Sequence, residues 1–118
     1  MIWMNALSDL LKTYLYTPRN HLKTISNREY VKQIIRASGS VGANYIEANE
    51  SLSKKDFIMR IKICRKESKE SRYWLSLIDI SGDKELESDC NRYMNESTEL
   101  MKIFSSIMRK SVSTVLNI

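Results

Sequence analysis

Proline occurs once in this 118-residue chain and glycine three times, so tight turns are few and the elements they separate are long. There are two cysteines and one histidine. A disulfide scaffold is thereby excluded, as is any metal site built on several histidines. No apolar run approaches the roughly 20 residues that a membrane-spanning helix needs. The N-terminal stretch MIWMNALSDLLKTYLY has no basic segment before an apolar run and no small-residue cleavage site. It reads as an amphipathic helix and not as a signal peptide, which leads us to expect a cytoplasmic protein. Phosphate-binding glycine loops, Gly-x-Ser-x-Gly and cysteine–histidine pairings are all missing, so we expect no enzyme and no cofactor.

What the chain does contain is helical periodicity. Hydrophobic residues make up 42% and charged residues 28%, a balance that fits one soluble helical domain over residues 1–118. Trp3, Leu7, Leu10 and Tyr14 fall on one face of a helix over about residues 3–16. Pro18 ends it, and a loop follows. Asn27 is placed to cap a second helix over about 28–50, whose seam is Val31, Ile34, Ser38, Val41, Tyr45 and Ala48. Gly39 and Gly42 inside it cost about 1 kcal/mol each relative to alanine. We take them, with Ser38 and Ala43, as a smooth patch for close packing, in preference to a helix break at Gly39.

Ser53 and Asp56 form a capping box that opens a third helix over about 54–80. Its stripe is Phe57, Ile61, Cys64, Ser68, Ser71, Leu75 and Ile78. Gly82 and Asp83 mark the next turn. A fourth helix over about 84–112 carries Leu86, Cys90, Tyr93, Ser97, Leu100, Phe104 and Ile107, with Met94, Met101 and Met108 beside them. Such a methionine column fills a core or forms a plastic binding surface. Cys64 and Cys90 sit on apolar stripes as free thiols. The fold expected is all-α, an antiparallel up-down four-helix bundle.

The charge is concentrated. Residues 53–73 carry eight lysines and arginines against three carboxylates, a local balance equal to the +5 of the whole chain. At 100° per residue, Lys55, Lys62, Lys66 and Lys69 lie opposite the third helix's core stripe, and Arg65 and Arg72 share one shoulder. These six are the candidate nucleic-acid contacts, with phosphates tracking the strip. Tyr73 shares the lysine azimuth and can stack on a base. The competing reading is an ordinary solvated helix face.

The other shoulder holds Arg60, Ile63, Glu67, Glu70, Trp74 and Leu77, a second apolar stripe of the kind a subunit interface uses. There Glu67 and Glu70 can meet arginines across the interface. On the second helix Arg36 and Glu47 line up with Ser40 and Ala43, as candidates for charge pairs between helices or between subunits. The candidate interface is therefore Arg36, Glu47, Ile63, Glu67, Glu70, Trp74 and Leu77. Glu67-x-x-Glu70 has no histidine partner, so no metal site is expected, and the candidate catalytic set is empty.

Three runs taken together, RASGSVGANYIEA over residues 36–48, SKKDF over 53–57 and KESKESRYWL over 66–75, closely resemble the bacterial four-helix-bundle proteins encoded by intervening sequences in 23S ribosomal RNA genes. The related accessory variability determinant of diversity-generating retroelements is similar. The resemblance is strong over about residues 25–80 and rests on pattern alone in the flanking helices; the first helix is shorter at its start than is usual in the family. It implies an up-down bundle, a homopentamer with a central channel, and a partner that is RNA or a reverse transcriptase. The matching positions Arg36, Asn44, Glu47, Glu67, Glu70 and Trp74 look like packing and assembly residues.

Overall fold

One threonine hydroxyl, one serine hydroxyl and one aspartate carboxylate start the long helices of the chain. In the computed structural model, which describes residues 6–7, 9–13 and 23–116 (side chains to 112), the first helical residues are 6–7 and 9–13, here α1. Then follow α2 (Ile25–Asn49), α3 (Lys54–Leu77) and α4 (Lys84–Leu116). Consecutive helices pack antiparallel as an all-α bundle, and no strand occurs among the described residues. Trp3, Tyr14, Pro18 and His21 lie outside the described residues.

Ser53 opens α3 as expected, its Oγ accepting from the Asp56 amide at 3.1 Å. Asp83 opens α4, its Oδ1 accepting from the Leu86 amide at 3.1 Å. Between them Ser81 (φ 47°) and Gly82 (φ 77°) occupy the left-handed region and reverse the chain. No helix among the described residues is long and apolar enough to cross a membrane.

The start of α2 differs from expectation. The cap is Thr24, whose hydroxyl accepts from the Asn27 amide, and Asn27 lies inside the first turn. Its fully buried side chain reaches the far end of α3 instead. Asn27 Nδ2 donates to the Asp79 carbonyl at 2.9 Å, and the Asp79 amide donates to Asn27 Oδ1 at 2.9 Å. This pairing takes the Asp79 backbone out of the helix, so α3 stops at Leu77 and not near residue 80.

Two apolar clusters form the core. Leu7, Leu11, Val31, Ile34, Leu75 and Leu86 belong to the first, and Val41, Ala48, Ile61, Cys64 and Phe104 to the second. In each of α2, α3 and α4 the residues between the clusters are buried serines: Ser38, Ser68, Ser71 and Ser97. Each hydroxyl donates to a carbonyl of its own helix, for example Ser68 to Cys64 O at 2.8 Å and Ser97 to Tyr93 O at 2.9 Å. The polar cost of burial is thereby met locally, and the small side chains let the helices approach. Both cysteines are free and buried. Burial pushes each thiol up to about 11, the charges of Asp89 and Asp83 adding to it at Cys90. Neither is a thiolate at neutral pH.

The helix is unbroken at Gly39, as expected, and no other helix of the same chain packs there. A Cβ at this position would meet nothing within 4 Å in the chain, and the residue is exposed.

Candidate nucleic-acid interface

A helix capped at Ser53 and seated by Ile61, Cys64, Ser68 and Ser71 must present the opposite face to water. That face carries Lys55, Lys62, Lys66 and Lys69, all exposed. None of the four takes part in an ion pair among the described residues. Arg65 is half-buried at the edge toward α4. Arg72 is exposed and leans on α4, its Nε donating to Thr98 Oγ1 at 3.0 Å.

The strip is also a groove. Lys62, Ile63, Arg65, Lys66, Lys69 and Met101 enclose about 500 Å³. A second groove of about 410 Å³ shares Arg65 and adds Ser105, Met108, Arg109 and Val112. No carboxylate lines either one among the described residues. The cations thus frame an apolar floor, and α4 supplies part of it. Met101 and Met108, two members of the methionine column, line these grooves, while Met94 and Met108 also pack against the core.

Two of the acids of α3, Glu67 and Glu70, are engaged by α2 and not by the lysine row. Arg36 of α2 pairs with both Glu67 and Glu70 of the same chain, the contact to Glu67 being 3.4 Å. Trp74 Nε1 donates to Glu70 Oε1 at 3.2 Å, and its ring stacks on Tyr30 with centroids 6.1 Å apart. Arg60 extends the seam, donating to Asn44 Oδ1 at 3.1 Å; its buried Nε has no partner. The expected interface residues Ile63, Trp74 and Leu77 are half-buried, Glu67 is buried, and Glu47 is exposed on the adjacent face of α2. The pairing that sequence placed across subunits or between helices is, for Arg36, between helices.

The two glutamates titrate in opposite directions. At Glu67 burial raises the carboxyl above its ordinary value, the charge of Glu70 adds to this, and Arg36 opposes it. At Glu70 burial also pushes up, but hydrogen bonds from Trp74 and Arg36 outweigh it and the carboxyl is lowered. Glu70 therefore contributes stability above the ordinary 4.5 that is lost as pH falls through its folded value. Glu67 has the opposite sign: its contribution is full at acid pH and is lost as pH rises through its folded value. Glu70→Gln should destabilise by about 1–2 kcal/mol at pH 7, with the gap to the parent narrowing toward pH 3. Glu67→Gln should be near neutral or stabilising at pH 7. Urea denaturation across this range reads both.

With this geometry in place, similarity to known proteins is decisive at the level of family. Residues 1–106 match the 23S rRNA-intervening sequence protein family. The chain belongs to that family. The chain is also similar, at 31% identity, to the crystal structure of a protein with unknown function from the S23 ribosomal protein family of Bacteroides thetaiotaomicron. It superimposes with a TM-score of 0.71, over 90% of this chain and 91% of that one. No protein of curated function is significantly similar. The family match includes α1 to α3 and the Met101 side of the groove, whereas Arg109 and Val112 fall beyond it.

Sequence reasoning missed Met101, Arg109 and Val112 as parts of the basic trough. Their helix was read for its core stripe and the methionine column beside it, not for a partner on α3. Periodicity gives no rotation of one helix against another, so it could not bring them beside Arg65. Also missed were the exposed apolar side chains at the α2–α3 end, Ile46 (65% exposed), Leu52 (102%) and Met59 (47%). No group of three or more potential metal-ligating side chains comes together among the described residues.

Proposed function

We propose that this protein is a non-enzymatic, oligomeric RNA-binding bundle, its RNA held along the trough framed by Lys62, Arg65, Lys66 and Lys69. The observation that carries the reading is that no carboxylate lines that trough among the described residues, while Glu67 and Glu70 of α3 pair with Arg36 of α2. A surface of one sign with no internal partner attracts polyanions. Membership in a family named for 23S ribosomal RNA genes fits an RNA connection. Assembly, as a homopentamer by resemblance, falls to the Trp74–Leu77 part of the shoulder with Arg36, Glu47, Glu67 and Glu70; Ile63, at its border, lines the trough, and the lysine row stays open.

The test is RNA retention by the purified protein across a salt series, with particle mass by light scattering in the same samples. Four phosphate contacts predict a slope of about −3 in log K against log salt for a single strand. A flat response would refute the trough assignment.

A second reading has its own observation. The exposed Ile46, Leu52 and Met59 suit a protein partner, such as the reverse transcriptase of the related retroelements, without direct RNA binding. A pulldown that survives nuclease treatment would favour it.

A further inference from the structure

We infer that the trough takes single-stranded RNA and not duplex, with the Tyr73 ring as the platform for one base. This rests on the RNA reading above and narrows its substrate.

Tyr73 is 55% exposed on the polar face of α3. By helical geometry it lies within about 20° of the azimuths of Lys55, Lys62 and Lys66, one row along the helix. The ring has an aromatic neighbour. Trp74 meets it edge-on at 5.1 Å and 65°. Trp74 is in turn held by Glu70 and stacked on Tyr30. An aromatic ring buttressed in this way and open on the solvent side is pre-organised for stacking, so a base placed on it costs little ordering. Lys69 lies about one turn away and Lys66 about two, at ~1.5 Å rise per residue, within reach of the phosphates flanking that base.

Duplex RNA cannot use this arrangement. Its base faces are buried in its own stack, and its backbone offers only charge and hydroxyls. It would leave Tyr73 and the Ile63–Met101 floor between the cations without partners. An unpaired strand offers both phosphates for the lysines and free base faces for the apolar surface. The row from Lys55 to Tyr73 runs about 27 Å.

The experiment is fluorescence anisotropy of the full chain with a labelled 16-nucleotide RNA, alone and annealed to its complement, at low salt. The expected result is single-strand affinity at least about tenfold above duplex. Tyr73→Ala should weaken single-strand binding about tenfold and leave duplex binding unchanged, while Tyr73→Phe keeps parental affinity because the ring face remains. Thermal melts of both variants establish that the bundle is intact. Equal affinity for both RNA forms would overturn the inference, as would Tyr73→Ala weakening both forms or neither. If both forms bind equally and both are lost on charge reversal at Lys62, Lys66 and Lys69, the RNA reading survives and the single-strand inference fails. If neither form binds the parent protein, both fall.

Discussion

Replacing Lys62, Lys66 and Lys69 together by glutamate removes RNA retention at low salt, a loss of about three orders of magnitude, and leaves helicity and particle mass as they were. All three side chains are exposed and outside any ion pair among the described residues, so no ion pair is broken. Lysine and glutamate have similar helix propensities, and α3 keeps its cap and core stripe. What changes is the field. Three phosphate contacts become three repulsions, and the net charge of +5 falls by six units. A control separates the trough from the total charge. Lys32, Lys84 and Lys102 are exposed and sit in exposed i,i+3 pairs with Glu29, Glu87 and Glu99, away from the groove. Reversing these three changes the net charge equally and should weaken binding only several-fold. If both triple variants lose binding alike, the protein attracts RNA by its overall charge and the trough has no special part. Retention by the first variant would remove the assignment of these lysines.

The contrast between these two sets of lysines also shows what the sequence could reveal. Within one helix, spacing fixes azimuth, so the alignment of Lys55, Lys62 and Lys66 with Tyr73, opposite the Ile61–Ser68–Leu75 stripe, was legible without a structure. The same holds for the starts of α3 and α4, where Ser53 and Asp83 act on residues three positions away. Relations between helices were not. Arg36 and Glu67 were each placed on the correct face of their own helix, but that those faces meet depends on how α2 and α3 are rotated against each other. Met101 and Arg109 were invisible as parts of the trough for this reason. Gly39 is a different failure. Glycine in a helix implies a cost and hence a reason, and close approach of another backbone was the reason supposed; no backbone of the same chain comes near Gly39.

Asn27 marks the point where a local signal and a distant contact compete. Asparagine is a favoured cap, and threonine three residues earlier is nearly as good. The choice of Thr24 is settled by what Asn27 can do elsewhere, 52 residues away, on the backbone of Asp79. An amide side chain is the one common group that donates and accepts from a single planar end, as a peptide does. It closes the end of α3, ties it to the start of α2 and orients the turn through Ser81 and Gly82. Asn27→Ala should therefore cost about 2–3 kcal/mol in urea denaturation, from two lost hydrogen bonds and the backbone groups left behind. Thr24→Ala removes only the cap and should cost about 1 kcal/mol. Asn27→Asp is the sharper probe. Its carboxylate still accepts from the Asp79 amide but faces the Asp79 carbonyl with no proton to donate. In that buried position the new carboxyl is pushed up, so the folded state binds its proton more tightly than the unfolded chain does. The variant should be strongly destabilised at pH 7 and recover toward the parent as pH falls, when the protonated acid can donate to Asp79 O. A loss independent of pH, or a Thr24→Ala cost equal to that of Asn27→Ala, would show that Asn27 acts on its own helix and not on the α3–α4 turn.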